Sequence, residues 1–244
     1  MNNIIVSGCS YSSNTGVTPY SELLNDCIDL NVINKAWPGQ SNKSIIREIR
    51  NHINDGISDT IFICQLTHLH RLNLYCTLNN RYIDFQPMFI NSTPLIKNDK
   101  IVFDVDYENI HSGKLKGIVS NGVSNIDEFN INNEYYDELH TFYKQYLKFF
   151  YDDTESFYEL VNQIDDLNRL VNTTSNKIIF LYWSHVIGDT IELKNRNFLN
   201  FDNEYSLLNW STRNDMLDGR TSHLSEKGHY TLCEKLKLEI DKII

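Results

Sequence analysis

The sequence has few cysteines and no pattern among them. Five stand at positions 9, 27, 64, 76 and 233; the count is odd and no CxxC occurs. A disulfide framework or a zinc site is not expected, and reduced thiols in a cytosolic setting fit better. Long apolar runs are missing too. The longest, residues 178–183, is far too short to span a bilayer. The N-terminus, MNNIIVSGCSYS, has neither a basic segment nor a long apolar stretch, so no signal peptide is expected and the chain reads as cytoplasmic. Positive charge is in deficit: 22 Lys and Arg face 32 Asp and Glu, for a net charge of −10. The isoelectric point is about 5.2. Nucleic acid is not expected as a partner, because non-specific binding needs a basic footprint. An anionic membrane surface is not expected either. No internal repeat and no low-complexity linker interrupts the chain.

What is present is an alternation of strand and helix signals. The chain is 244 residues long and 41% hydrophobic, enough for one sizeable core, so one domain over residues 1–244 is expected. Residues 3–7 read as a buried strand. Pro19 suits the first turn of a helix through Tyr20, Leu23 and Leu24. Residues 32–36 read as a second strand, cut by Pro38-Gly39. Ser41 or Asn42 can cap a helix with Ile45, Ile46, Ile49 and Ile53 on one face. Residues 59–66, DTIFICQL, are apolar almost throughout, as a strand covered on both faces would be. This β-α-β-α-β order points to an α/β fold with a parallel sheet.

Residues 72–132 show no helical period and read as an insertion, a cap over the sheet. Within it PLIKNDKIVFDV fits a hairpin turning at Asn98-Asp99. A helix rich in Tyr and Phe is expected over residues 134–151, and another from Glu155, with apolar residues at steps of three and four from Phe157 to Val171. KIIFLYW, residues 177–183, is the next core strand. Residues 184–217 read as loop, and residues 224–244 close the chain as a helix with Leu232, Leu236, Ile240 and Ile243 inward.

Ligands of a doubly wound sheet bind beyond the carboxyl ends of its strands. Gly8-Cys9-Ser10 follows the first strand, the segment from Pro38 to Asn42 follows the second, and Thr67-His68 follows the third. DGRTSHLSEKGH, residues 218–229, precedes the last helix. If the sheet forms as expected, these four segments converge on one rim. A serine needs a base to take its proton and a third group to orient that base. Ser10, His223 and Asp218 offer those three roles. The backbone N–H groups of Ser10 and Gly39 can face an oxyanion, and the Asn42 side chain can add a donor. His68-x-His70 lacks a further acidic or cysteine ligand in spacing, so no metal is expected; with Arg71 these histidines can instead contact a polar or anionic substrate.

The arrangement resembles the SGNH (GDSL-type) hydrolase family. Members carry the nucleophile serine in a Gly-Asp-Ser block after the first strand. A glycine block follows the second strand, a Gly-x-Asn-Asp block the third, and an Asp-x-x-His-Pro block stands before the last helix. Gly8-Cys9-Ser10 matches the first block with Cys9 in place of aspartate. Gly39 matches the glycine block. His223 matches the C-terminal histidine, with Leu224 in place of proline. The chain departs from the pattern in two places. Gln65-Leu66-Thr67-His68 stands where Gly-x-Asn-Asp is expected, which puts Thr67 in the oxyanion asparagine's position, with Asn42 as the alternative donor. Arg220 stands three residues before His223, where the aspartate is expected; Asp218 lies five before it, Asp215 is the fallback, and a Ser-His dyad is the other possibility.

The resemblance implies a three-layer α/β/α sandwich around a five-stranded parallel sheet, flavodoxin-like in topology. It implies a serine hydrolase that needs no cofactor, with a carboxylic ester as substrate: a small acyl group, such as acetyl, on a carbohydrate or other small molecule. Two rivals are a binding module that kept the fold without the chemistry and an acyltransferase. Chains of this GCS type resemble proteins encoded by phages and marine bacteria, which points to a viral origin.

Overall fold

Three apolar runs in the first 66 residues become parallel strands. The chain is described from a computed structural model, over residues 1–13, 17–37, 39–77, 81–89, 95–97, 100–102, 115–120, 138, 141–142, 145–183, 196–202, 204–218 and 223–244. Strand β1 is Asn3–Ser7, β2 is Asn31–Asn34 and β3 is Thr60–Leu66. Every residue of β3 is buried, as its apolar run demands. With Lys177–Tyr182 (β9) they form one parallel sheet in the order β2-β1-β3-β9.

The connections fix the layers. Helix α1, Tyr20–Cys27, links β1 to β2, and helix α2, Asn42–Asn54, links β2 to β3 on the other side of β1. The chain moves first one way and then the other, so two right-handed crossovers put α1 and α2 on opposite faces. Helix α3, Asp153–Asn172, packs beside α2, and helix α5, Glu226–Ile243, packs beside α1. At the second contact Cys27 Sγ and Cys233 Sγ lie 3.4 Å apart as free thiols. The result is a three-layer α/β/α sandwich. Its core runs from Ile4, Ile5 and Val6 through Phe62 and Phe180 to Leu232 and Leu236.

Ser41, rather than Asn42, is the N-cap of α2; its hydroxyl accepts the Ser44 N–H at 3.2 Å. The isoleucines expected on one face, Ile45, Ile46, Ile49 and Ile53, are all buried.

The sheet corrects one expectation. Among the described residues it has four strands, not five. Along the free edge of β9 runs an irregular segment that touches it by isolated parallel bridges, Phe180 to Phe198 and Tyr182 to Ser206. The Phe180 N–H donates to Asn197 O at 2.9 Å, and the Leu199 N–H donates to Phe180 O at 2.9 Å. These bonds cover the edge without forming a ladder. The same stretch, expected as loop, also holds a short helix α4, Leu207–Arg213, capped by Ser206. Its seven residues are too few to display a helical period.

The described residues of the segment expected as an insertion lie mostly in strands. Leu72–Cys76 (β4), Arg81–Phe89 (β5) and Leu115–Ser120 (β8) pair as an antiparallel sheet in the order β4-β5-β8. Leu95–Lys97 (β6) and Lys100–Val102 (β7) pair antiparallel, with Lys97 opposite Lys100, as the hairpin reading expects. Its turn at 98–99 lies outside the described residues. Of the helix expected over 134–151, residues 145–149 are helical, and most of its earlier part lies outside the described residues.

Candidate active site

The chain reverses direction across the sheet at β1 and β3, so the crevice beyond their carboxyl ends is the topological switch point. Ser10 follows β1 and Thr67 follows β3 at that point. The turn after β1 is closed by the Ser12 N–H, which donates to Cys9 O at 3.0 Å. Cys9 is buried and Ser10 is partly exposed, so the turn sends the thiol inward and leaves the serine at the rim.

Gln65 holds that turn from the core. It sits in the all-buried β3, and its Oε1 accepts the Cys9 N–H at 3.3 Å and the Ser12 hydroxyl at 3.0 Å. Its Nε2 donates to Leu66 O at 2.6 Å. Ser12 Oγ also meets Tyr20 Oη at 2.7 Å. Because Ser12 spends its single hydrogen on a pure acceptor, Tyr20 is the donor to Ser12. Gly8 makes the approach possible: a Cβ there would lie 2.7 Å from Ser12 Oγ and 3.0 Å from Gln65 Cβ. A glutamine inside DTIFICQL was the one signal in the sequence for this clamp.

The glycine loop comes to the same place. The Trp37 N–H donates to Gly8 O at 3.0 Å. Gly39 is buried with φ +83°, a conformation that favours glycine. Two groups brace this loop from the far side. Asp84 of β5 accepts the Ser41 N–H at 3.2 Å, and Arg71 Nη1 donates to Gln40 O at 2.9 Å. Burial pushes the Asp84 carboxyl above its ordinary range, while hydrogen bonds from Ser41 and Asn73 oppose it.

Asn42 and Thr67 are joined to one another. Asn42 Oδ1 accepts the Thr67 N–H at 2.7 Å, and Asn42 Nδ2 donates to Thr67 O at 3.1 Å. The Asn42 amide therefore ties the N-terminus of α2 to the segment after β3. Thr67 Oγ1 is buried and has no hydrogen-bond partner among the described residues. A buried hydroxyl without a partner is uncommon and calls for one.

Tyr11 is the hub. Its ring stacks on Trp183 with centroids 3.6 Å apart and lies 4.8 Å from the His223 ring. Its hydroxyl meets His68 Nε2 at 3.4 Å. Burial pushes the Tyr11 phenol far up, Cys9 adds to this, and the nearby Arg71 charge opposes it. The residue next to Ser10 thus touches His223, 212 positions further along the chain.

His223 stands where the chain has reversed direction and pairs with itself. Leu217 and Leu224 pair antiparallel, and the Asp218 N–H donates to His223 O at 2.7 Å. This backbone bond holds Asp218 opposite His223. Asp215 lies outside that pair, exposed, with φ +53°. The reversal is pinned to α5 by its N-cap: Ser225 N–H and Ser225 Oγ both donate to Met216 O, at 2.8 and 2.9 Å. Behind it, buried His229 accepts the Tyr20 N–H on Nδ1 at 3.2 Å, which leaves the neutral ring its proton on Nε2. Burial and the nearby His223 hold His229 down at about 4.

The structure brings the Ser10 turn and His223 together through Tyr11, Asp218 opposite His223, and Asn42 onto Thr67. Sequence reasoning missed Tyr11, Ser12 and Gln65. Among the described residues, no group of three His, Cys, Asp or Glu side chains is placed to hold a metal ion. Among the same residues, no helix is long and apolar enough to cross a membrane.

No family model matches the chain, and no curated protein matches it. The solved structures similar to it include the following two. One is a member of the lipolytic protein G-D-S-L family from Veillonella parvula, with a TM-score of 0.45, 11% identity and full coverage of both chains. The other is the YxiM protein of Bacillus subtilis, with a TM-score of 0.46 and 13% identity; the match covers 99% of this chain and 56% of that one. This chain therefore spans just over half the length of the YxiM chain.

Proposed function

We propose that the chain is a serine hydrolase that cleaves a carboxylic ester, with a small acyl group such as acetyl on a carbohydrate or other small molecule. The observation that carries this reading is the contact between Tyr11, next to Ser10, and His223. In the reading, Ser10 Oγ attacks the ester carbonyl while His223 takes its proton. The backbone N–H groups of Ser10 and Gly39 and the Thr67 hydroxyl receive the charge that develops on the carbonyl oxygen. The tetrahedral intermediate collapses to an acyl group on Ser10 Oγ as His223 gives the proton to the departing alcohol; a water activated by His223 then attacks that acyl group, releasing the acid and restoring Ser10. Asp218 orients His223. Asn42, engaged with the Thr67 backbone, holds the Thr67 donor in position.

Turnover of p-nitrophenyl acetate by the wild type, Ser10→Ala and His223→Ala tests the reading. The wild type should hydrolyse it, and each substitution should lower kcat by several orders of magnitude. Thr67→Val should lower kcat by roughly a hundredfold, the typical effect of losing one oxyanion donor. A wild type that hydrolyses no short acyl ester contradicts the reading.

A further inference from the structure

Arg71 has an unused binding edge. Nη1 donates to Gln40 O, beside Gly39. Nε is buried with no hydrogen-bond partner among the described residues. None of the ion pairs among those residues includes Arg71, whereas Arg50, Arg169, Arg196 and Arg213 each pair with a carboxylate. Arg196 shows what the free edge can do. Its Nε donates to Asp165 Oδ1 at 2.6 Å and its Nη2 donates to Asp165 Oδ2 at 3.0 Å, a bidentate grip. Arg71 has the same Nε and Nη2 edge left over once Nη1 is fixed on Gln40.

Arg71 brings a positive charge to this rim. Its charge is felt by Tyr11 and by His70. His70 is itself held neutral, pushed down to about 3 by burial, with the Arg71 charge adding to the effect. In a chain of net charge −10, Arg71 stands beside the candidate oxyanion loop with no carboxylate in ion-pair reach among the described residues; Arg47 lacks one too, but its guanidinium is engaged by Asn73, Ser44 and the Tyr82 ring.

We propose that Arg71 is a specificity residue whose Nε and Nη2 edge grips a carboxylate on the substrate, so that the preferred ester is an acidic one. This rests on the hydrolase reading for its location. A planar carboxylate matches the guanidinium fork in geometry, and a partly buried fork gains more from the pairing than an exposed one.

Initial rates on 4-acetoxybenzoate and its neutral methyl ester test the proposal in the wild type, R71Q and R71K. The ratio of kcat/KM for the acid over the neutral ester should fall about tenfold or more in R71Q. R71K, which keeps the charge and loses the fork, should fall between. A ratio that neither variant changes overturns the proposal, as does an equal loss on both esters. If the wild type cleaves neither ester, the hydrolase reading fails by itself. Calorimetric binding of 4-acetamidobenzoate against 4-acetamidobenzamide then decides about Arg71. A preference for the carboxylate that R71Q abolishes supports the proposal; equal binding, or no binding, overturns it.

Discussion

The ring of Tyr11 lies 4.8 Å from the ring of His223, centroid to centroid, and stacks on Trp183 at 3.6 Å. This pairing couples the turn after the first strand to the segment before the last helix. Tyr11→Ala removes the wall against which His223 rests and should lower kcat/KM at least about tenfold. Tyr11→Phe keeps the ring and loses the hydroxyl's contacts with His68, at 3.4 Å, and with the Trp183 side chain, so it should retain most of the activity. Equal losses in the two variants would show that the hydroxyl, not the ring, matters.

Gln65 and Gly8 form the second coupling. Gln65→Leu leaves the Cys9 N–H and the Ser12 hydroxyl without their buried acceptor. Losing partners for two buried donors should cost about 2–4 kcal/mol, read as a lower urea midpoint. Gly8→Ala attacks the same place by volume. Ser12 cannot turn away from the new methyl without breaking its bonds to Gln65 and Tyr20. A loss of about 1–3 kcal/mol is expected. A Gly8→Ala protein as stable as the wild type would contradict this packing.

Gly228 supports the histidine from the other end. A Cβ there would lie 2.4 Å from the carbonyl oxygen of Met216, a backbone atom that cannot rotate away. That carbonyl anchors the reversal carrying Asp218 and His223. Gly228→Ala should therefore lower both the melting temperature and esterase activity. Leu238→Ala, on the exposed side of the same helix, should change neither.

Acid should weaken the fold through its buried histidines. Burial holds His229 at about 4, with His223 adding, and His70 at about 3, with Arg71 adding, against an ordinary value of 6.5. Below pH 6.5 the unfolded chain binds protons that the native chain refuses. Stability is therefore complete above pH 6.5 and declines as pH falls toward 4. At pH 5 the loss is about 2 kcal/mol per histidine. Asp84, raised by burial, moves the opposite way. Comparison with His229→Gln isolates one histidine: the stability lost between pH 7.5 and pH 5 should be about 2 kcal/mol smaller in the variant. An unchanged loss would contradict the shift.

The sandwich was legible because its elements carry local signals. Ile45, Ile46, Ile49 and Ile53 show a helical face, and DTIFICQL shows a strand covered on both sides. Within residues 72–132 the hairpin of β6 and β7 was legible but β4, β5 and β8 were not, because those strands mix Tyr, Asn and charged residues with no clear period. The fifth strand was expected from resemblance alone, and irregular backbone covers that edge instead. At the site, single residues were readable and their partners were not. Gln65 meets Cys9 across 56 positions, and Asp84 meets Ser41 across 43. Such pairs leave no trace in local pattern. Cys9 reads as a missing aspartate in sequence; in the fold it is the buried residue whose N–H Gln65 holds.

The central claim is that Ser10 is a nucleophile activated by His223. Labelling with a fluorophosphonate, followed by intact mass and peptide mapping, tests it most directly, because the reagent needs an activated serine and no knowledge of the natural ester. One adduct on the Ser10 peptide is expected in the wild type, none in Ser10→Ala, and much slower labelling in His223→Ala. No adduct on a folded wild type, or an adduct that persists in Ser10→Ala, would contradict the account.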